Sequence, residues 1–288
     1  MKWLIYGSKG WIGQQVFGHL TKLYPEDTLV LSDTRVDDEP AIEKELTSLR
    51  PDRVLCLIGR THGPGYSTID YLEQKERLVE NVRDNLYGPL ILAILSSRLG
   101  FHLTYMGTGC IFQYSDSHPN GFTEEDCPNF FGSSYSVVKG YTDRLLRQFD
   151  QHVLNCRIRM PITSVDHPRN FISKIIRYKK ICSIQNSMTV LDELLPIMLD
   201  MARNKRTGTI NLTNPGCISH NEILDMYIDK VDPNFRYQNF TIDEQRVVLK
   251  SDRSNNLLDT SKLQEWYPRV RSIHDAVNHT LENWKTTS

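Results

Sequence analysis

The sequence predicts an α/β protein built on a doubly wound parallel sheet, with helices on both faces and a smaller C-terminal lobe. Strand-like and helix-like segments alternate through the first half of the chain, and a glycine-rich turn joins the first strand to the first helix. Right-handed crossovers then place successive strands in one sheet. Of the 288 residues, 1–160 are expected to form this domain and 161–288 the lobe, whose elements can return to the sheet.

The order of elements follows from the hydrophobic pattern. Short apolar runs predict buried strands at 3–6, 28–32, 53–58, 102–106 and 152–157. Periodicity predicts helices at 11–23, 71–98 and 135–149, and shorter ones near 191–204 and 219–230. The second helix is expected to be interrupted near Gly88-Pro89, because proline lacks the N–H that a helix uses. Proline and asparagine become frequent after Met160-Pro161, so the lobe is predicted to begin there.

Composition excludes several classes of protein. Lys and Arg number 34 against 35 Asp and Glu, so no domain-wide basic surface indicates nucleic-acid binding. The six cysteines form no Cys-x-x-Cys pair, which argues against a zinc site and against a disulfide framework, and no metal site is predicted. The chain begins directly in a strand pattern and has no apolar run long enough to span a membrane, so a cytosolic location is expected.

The turn after the first strand is predicted to bind a dinucleotide. Gly7, Gly10 and Gly13 have the spacing Gly-x-x-Gly-x-x-Gly between a strand and a helix, which is the context of the Rossmann fingerprint. The pyrophosphate would lie on the helix N-terminus, with Trp11 and Ile12 beside it. The alternative is an ordinary glycine-rich turn between a strand and a helix.

The end of the second strand carries both signals for cofactor choice. Asp33 would hold the ribose hydroxyls of NAD, whereas Arg35 would pair with the 2′-phosphate of NADP. We favour NADPH, with NADH as the alternative and a solvated loop position as the other reading of Arg35. Gly59 and Met160 complete the predicted cofactor contacts.

Tyr135 and Lys139 predict a reductase. They lie at i and i+4 on one helix face, where the lysine charge can hold the cofactor ribose and lower the pKa of the tyrosine, which then donates a proton to a carbonyl oxygen. Thr108, at the end of the preceding strand, can hydrogen-bond the same oxygen. A surface tyrosine and lysine on an amphipathic helix is the alternative.

Cys110 suggests a second chemical step. It follows the end of a strand, two residues after Thr108, where side chains of parallel sheets meet their ligands. Nearby cations would favour its thiolate, which could remove a proton from a carbon next to a ketone. A lone cysteine is otherwise most often a small core residue.

These residues stand in a sequence that resembles the nucleotide-rhamnose epimerase/reductases, which convert UDP-4-keto-6-deoxyglucose to UDP-L-rhamnose. That family is related to dTDP-4-dehydrorhamnose reductase and GDP-L-fucose synthase among the extended short-chain dehydrogenases/reductases. The resemblance is carried by segments 10–13, 108–112, 124–130, 132–136, 157–162, 168–172, 186–196, 214–216, 219–224 and 253–256. Asp33 is not part of the family pattern, which weakens the NADPH prediction.

The resemblance implies roles for particular residues. Thr108, Tyr135 and Lys139 match the reductive triad, Cys110 matches the base of a 3,5-epimerase, and Lys174 matches its partner acid. Substrate contacts are expected from Asn170, Asn186, Arg253 and Asn255. An upstream 4,6-dehydratase would supply the nucleotide sugar, and homodimers are common in such folds.

Three other functions are compatible with parts of this pattern. A 4,6-dehydratase would need an Asp-Glu pair directly after the threonine, where Gly109-Cys110 stands. A nucleotide-sugar 4-ketoreductase without epimerase activity would leave Cys110 as packing. A catalytically silent NADP-binding regulatory subunit would have no reason to keep Thr108, Tyr135 and Lys139.

Overall fold

The computed structural model describes residues 1–248 and 251–286. It divides into two compact units whose segments interleave along the chain. The first unit contains Met1–Ile111, Cys127–Arg157 and Met198–Ile210. The second unit contains Phe112–Asp126, Ile158–Ile197 and Asn211–Ser288. The assignment of cofactor to one part of the chain and substrate to the other stays a prediction.

The central element is a six-stranded sheet in the order β2-β1-β3-β4-β5-β8. The strands of the protein are β1 (Lys2–Tyr6), β2 (Thr28–Leu31), β3 (Arg53–Cys56), β4 (His102–Thr108), β5 (Val153–Ile158), β6 (Pro161–Ile162), β7 (Thr189–Val190) and β8 (Gly208–Asn211). β1 pairs in parallel with both β2 and β3, and β3 pairs in parallel with β4. The strand order therefore reverses beside β1, which is where doubly wound sheets bind ligands.

Helices cover this sheet, as the alternating pattern predicts. The helices are α1 (Trp11–Leu23), α2 (Glu39–Leu49), α3 (Leu78–Val82), α4 (Gly88–Leu99), α5 (Ser134–Leu146), α6 (Phe171–Ile175), α7 (Leu191–Arg203), α8 (His220–Lys230), α9 (Ile242–Val248), α10 (Ser261–Trp266) and α11 (Ile273–Glu282). Every residue of β3 and β4 is buried, as expected for inner strands of a parallel sheet. The predicted fold class is confirmed. Within the described ranges, no helix combines the length and apolarity needed to cross a membrane.

The predicted interruption of the second helix is confirmed, and its physical cause is visible. A wider, π-helical turn at Arg83–Tyr87 separates α3 from α4. Pro89 has no N–H to donate to the carbonyl of Asn85, and the hydroxyl of Thr142 donates to that carbonyl instead, at 2.7 Å. The turn therefore ties the region before α4 to α5, the helix that carries Tyr135 and Lys139.

The second unit has its own core and a two-stranded parallel sheet of β6 and β7. Buried apolar residues of these strands and of α6, α8 and α11 form one cluster, which includes Ile162, Ile172, Ile223 and Val277. α8 begins with a capping box in which Ser219 and Glu222 satisfy each other's backbone N–H groups.

We expect Glu222→Gln to destabilise the protein near neutral pH and to have little effect in acid. Burial alone would raise the pKa of this carboxyl, but hydrogen bonds from Ser219, His274 and Gln185 lower it to about 2. A lowered folded-state pKa stabilises the fold above the ordinary value of 4.5 and loses that effect as the pH falls toward 2. Glutamine can still accept the capping hydrogen bond, and the side chain is 39% exposed, so we expect the loss of charge to cost only about 0.2–1 kcal/mol. Urea unfolding of both proteins across this pH range measures the difference, and an equal difference at every pH would contradict the prediction.

Candidate active site

The glycine turn after β1 has the geometry of a phosphate cradle. Gly7 has φ +82°, and a side chain there would lie 2.9 Å from the backbone of Leu57. A Cβ on Gly13 would overlap the carbonyl oxygen of Gly7. The N-cap of α1 is Gly10, which has no side chain to cap the helix, and helix N-termini attract anionic ligands. The turn therefore fits the dinucleotide that the spacing predicts, with Trp11 and Ile12 opening the helix.

A cleft of about 340 Å³ extends from this turn. Its lining comprises Gly7, Ser8, Lys9, Gly10, Ser32, Asp33, Thr34, Arg35, Val36, Leu57, Ile58, Gly59, Arg60, His62 and Asp84. Asp33, Arg35 and Gly59, all predicted to bind cofactor, are thus brought together. Asp33 pairs with Lys9 at 2.7 Å, and Arg35 pairs with Asp37 at 2.8 Å. Acid and arginine both remain at the rim, so the geometry leaves the choice between NADH and NADPH open.

Two residues of the region before α4 shape this cleft and were not identified from sequence. The buried Asp84 accepts hydrogen bonds from Arg60 at 3.0 Å and from Arg83 at 2.7 Å. The side chain of Asn85 accepts from the backbone N–H of Arg60 and donates to its carbonyl, both at 2.9 Å. The loop after β3 is therefore fixed by residues 24 and 25 positions away, a distance at which sequence spacing gives no signal.

Two glycines of α1 offer a matched test of the cradle. We expect Gly13→Ala to destabilise the protein by about 1–3 kcal/mol and to weaken dinucleotide binding, because the methyl group would overlap the backbone of the turn. Gly18 lies in the same helix with open space around it, so Gly18→Ala is expected to stabilise the protein by about 0.5–1 kcal/mol. Thermal unfolding and cofactor titration compare the two. Equal effects of both substitutions would show that the turn is not constrained as described.

The reductive residues meet at the end of β4. Thr108 lies near the hydroxyl of Tyr135, and its oxygen accepts the backbone N–H of Cys110 at 3.1 Å. Ser136 donates to the carbonyl of Cys110 at 2.7 Å, so α5 and the loop after β4 are joined directly. Tyr135 and Lys139 are both buried. The first unit therefore brings together four residues predicted from sequence.

Cys110 is neither an open surface residue nor a core residue. It is half-buried and packs against a small apolar cluster that contains Tyr71, Leu72 and Tyr135. Its Sγ is therefore close to the phenol that the sequence assigns to proton transfer. This position is compatible both with a catalytic base and with a residue that only packs against the cluster.

The pKa of Tyr135 differs from the value that its spacing from Lys139 predicts. Lys139 was expected to lower the pKa of Tyr135; instead burial raises that pKa, the Cys110 thiol raises it further, and the hydrogen bond with Thr108 opposes the rise. The Lys139 ammonium donates to the hydroxyl of Tyr105 and lies 3.5 Å from the carbonyl oxygen of Met106. Burial lowers the pKa of Lys139 to about 8. The lysine therefore contacts a different tyrosine from the one expected.

Lys174 lies in the second unit, on the short helix α6. Burial lowers the pKa of its ammonium, and the positive charge of Arg169 lowers it further. Such a group releases a proton more readily than an exposed lysine. Its role as partner acid stays a prediction that rests on the resemblance.

The predicted substrate residues have structural tasks in the second unit. Asn170 is fully buried; its side chain accepts the N–H of Ile172 and donates to the carbonyls of Thr163 and Val165. Asn186 is also fully buried. Both side chains therefore have partners within their own unit, and a contact with substrate stays a prediction for each.

The remaining predicted residues lie close to Asn186 or to the start of the second unit. Asn186 accepts from Arg159 at 2.8 Å and donates to Asn255 at 2.8 Å. Arg253 donates to the hydroxyl of Ser251. Met160 has φ +38°, an uncommon conformation for a residue with a side chain and one that often marks functional sites.

A hydroxyl, a phenol and an ammonium gathered at a strand end, beside a dinucleotide-type turn, define an extended short-chain dehydrogenase/reductase. This chain is similar to the crystal structure of the L780 UDP-rhamnose synthase from Acanthamoeba polyphaga mimivirus. The two are 56% identical, with a TM-score of 0.96, and the match covers 98% of this chain and 99% of that one. The chain belongs to the family of nucleotide-rhamnose epimerase/reductases.

Two plant relatives support the same assignment. The bifunctional dTDP-4-dehydrorhamnose 3,5-epimerase/reductase of Arabidopsis thaliana is 44% identical over 281 residues, which are 95% of this chain and 90% of that protein. A trifunctional Arabidopsis enzyme with an additional UDP-glucose 4,6-dehydratase activity is 43% identical over 284 residues, which are 96% of this chain but 41% of that protein. No protein-family model matches the chain. The predicted resemblance is confirmed.

Proposed function

We propose that this chain is a bifunctional 3,5-epimerase/4-reductase that converts UDP-4-keto-6-deoxy-D-glucose to UDP-L-rhamnose with NADPH. One observation supports it above the others: the oxygen of Thr108 accepts the backbone N–H of Cys110 at 3.1 Å, and Cys110 packs against the cluster that contains the phenol of Tyr135. A proton donor and a candidate base are thereby held at the same point. The uridine nucleotide is proposed because the mimivirus synthase, the most similar solved structure described above, carries it in its name.

Epimerisation follows from the acidity of carbons beside a ketone. The C4 carbonyl acidifies the hydrogens at C3 and C5, and the Cys110 thiolate removes each in turn. Between the two steps Cys110 gives its proton to solvent and Lys174 regains one from it. Thr108 and Tyr135 donate hydrogen bonds to the enolate oxygen and stabilise it, as an oxyanion site does. Lys174 returns a proton to the opposite face, so that both centres invert.

Reduction at C4 uses Thr108 and Tyr135 again, together with Lys139. When bound, NADPH supplies the hydride that C4 accepts. Tyr135 donates the proton that the C4 oxygen needs, Thr108 orients that oxygen, and Lys139 holds the ribose. The turn at Gly7, Gly10 and Gly13 would hold the pyrophosphate.

Two charged residues at the rim of the cleft bear on the choice between NADPH and NADH. Arg35 can pair with a 2′-phosphate, which favours NADPH, whereas Asp33 makes NADH the second candidate. The Lys9–Asp33 ion pair supports NADPH, because a neutralised acid repels a phosphate less.

The proposed reaction requires another enzyme activity that produces its keto-sugar substrate. UDP-4-keto-6-deoxyglucose is the product of a 4,6-dehydration, and the trifunctional relative combines that activity with the two proposed here. We infer that a 4,6-dehydratase supplies the substrate of this chain and that the chain acts in the cytosol. A homodimer remains the proposed assembly.

Incubation with UDP-4-keto-6-deoxyglucose in deuterated water tests the proposal. We expect deuterium at C3 and C5 with or without NADPH, and conversion to UDP-L-rhamnose only with it; mass spectrometry and NMR measure both. Reduction without deuterium incorporation would indicate a 4-ketoreductase that lacks epimerase activity. The dTDP-linked ketone, run in parallel, tests the proposed nucleotide.

A further inference from the structure

A second buried tyrosine holds the proposed active-site lysine. Tyr105, in β4, is 1% exposed, and its hydroxyl accepts a hydrogen bond from the Lys139 ammonium. The Lys139 Nζ also lies 4.5 Å from the centroid of the Tyr105 ring. The second recorded contact of the ammonium is the carbonyl oxygen of Met106, at 3.5 Å. Two neutral oxygens and one aromatic face therefore surround a buried positive charge.

The titratable groups around Lys139 leave it without a dedicated counter-ion. Those whose charge acts on it are Cys56 on β3, Asp143 on its own helix, and Cys110. Asp143 is the carboxylate among them, and it is already committed to Arg157, which donates to both of its oxygens at 2.8 Å. Within the described chain, the charged form of Lys139 therefore depends on Tyr105 for its strongest side-chain contact.

We propose that Tyr105 is a positioning residue whose hydroxyl keeps Lys139 charged and holds its ammonium against β4. This inference rests on the proposed function, in which Lys139 must carry its charge to hold the ribose. A phenol accepts a hydrogen bond from the ammonium and is itself neutral, so the site keeps its positive net charge; a carboxylate would also favour the charged lysine but would cancel that net charge. Burial raises the pKa of Tyr105 well above its ordinary value, so its hydroxyl stays neutral across the working range.

Titration of Lys139 in the cofactor-free protein tests the inference directly. Lysine labelled with carbon-13 reports its charge by NMR, and Lys139→Met identifies the resonance. Tyr105→Phe removes the acceptor and keeps the ring, so the charged form is disfavoured and the titration midpoint should fall by about 1–2 units. Tyr6→Phe is the matched control, because Tyr6 is equally buried in β1 but its hydroxyl bonds Glu45 at 2.7 Å. We expect no shift of the Lys139 midpoint in that variant.

An unchanged midpoint in Tyr105→Phe would overturn the inference. Dinucleotide binding at about pH 5, below the expected midpoint, confirms that the variant is folded, since Lys139 is still largely charged there. Failure of the proposed function has a different signature, namely a wild-type protein that neither exchanges deuterium nor oxidises NADPH. The titration decides the role of Tyr105 in either case, because it needs neither substrate nor turnover.

Discussion

Replacing Cys110 with alanine is expected to slow deuterium incorporation at C3 and C5 of UDP-4-keto-6-deoxyglucose by about 10²–10⁴-fold, the range typical for loss of a general base. Hydride transfer from NADPH should persist in part, because the substitution leaves Thr108 and Tyr135 in place. The C4 ketone would then be reduced without inversion at its neighbours. Mass spectrometry of the sugar measures the exchange, and NADPH absorbance measures the reduction.

Cys127→Ala provides the comparison for Cys110. Cys127 belongs to the same unit but is exposed, and its recorded contact is with Arg144. Its replacement should leave exchange at the wild-type rate. Exchange that survives in Cys110→Ala would assign the base to another group and leave the cysteine as part of the apolar cluster with Tyr71 and Leu72.

The alternating half of the fold could be predicted because its elements repeat a pattern that the sheet imposes. β3 and β4 are buried along their whole length and each contains several apolar residues, and glycines mark the turn that must approach a ligand. α2 was missed although its start carries clear signals. Asp38 accepts the N–H of Ala41, and a proline stands in the first turn. Only Ile42 and Leu46 of that helix are buried, which is too few to produce a strong periodicity.

The candidate site could be predicted where its residues are close in sequence. Thr108 and Cys110 share a strand end, and Tyr135 and Lys139 share a helix face, so spacing alone brings each pair together. Tyr105 contacts Lys139 across 34 positions, and that contact depends on how α5 packs on the sheet. A tyrosine in a buried strand gives no sequence signal of such a role.

The sequence does not distinguish asparagines that bind substrate from asparagines with a structural role. Asn170 and Asn186 stand in segments that resemble the family, and both were interpreted as substrate contacts. The structure shows each side chain bonded to neighbouring backbone or side-chain groups in the second unit. Buried amides need such partners whether or not they touch a ligand, so residue type could not separate the two roles. Lys174 had no sequence signal beyond the resemblance.

Tyr135→Phe is expected to lower the rate of C4 reduction by about 10²–10⁴-fold, because the phenylalanine ring keeps the packing and removes the proton donor. Burial raises the pKa of Tyr135, so its phenol stays protonated through the alkaline range, and loss of activity there should follow Lys139, whose pKa is lowered to about 8. Deuterium exchange should continue at a reduced rate, since Cys110 remains and Thr108 still stabilises the enolate.

The comparison for Tyr135 lies on the same helix. Tyr141, in α5, is 60% exposed, so Tyr141→Phe removes a hydroxyl without touching the site and should reduce the ketone at the wild-type rate. Single-turnover oxidation of NADPH, measured for both variants with the epimerised ketone, separates proton donation from epimerisation. An unchanged rate in Tyr135→Phe would move the proton donor to another group. Thr108 and Tyr135 would then serve epimerisation alone, and the phenol of Tyr135 would act only on the enolate oxygen.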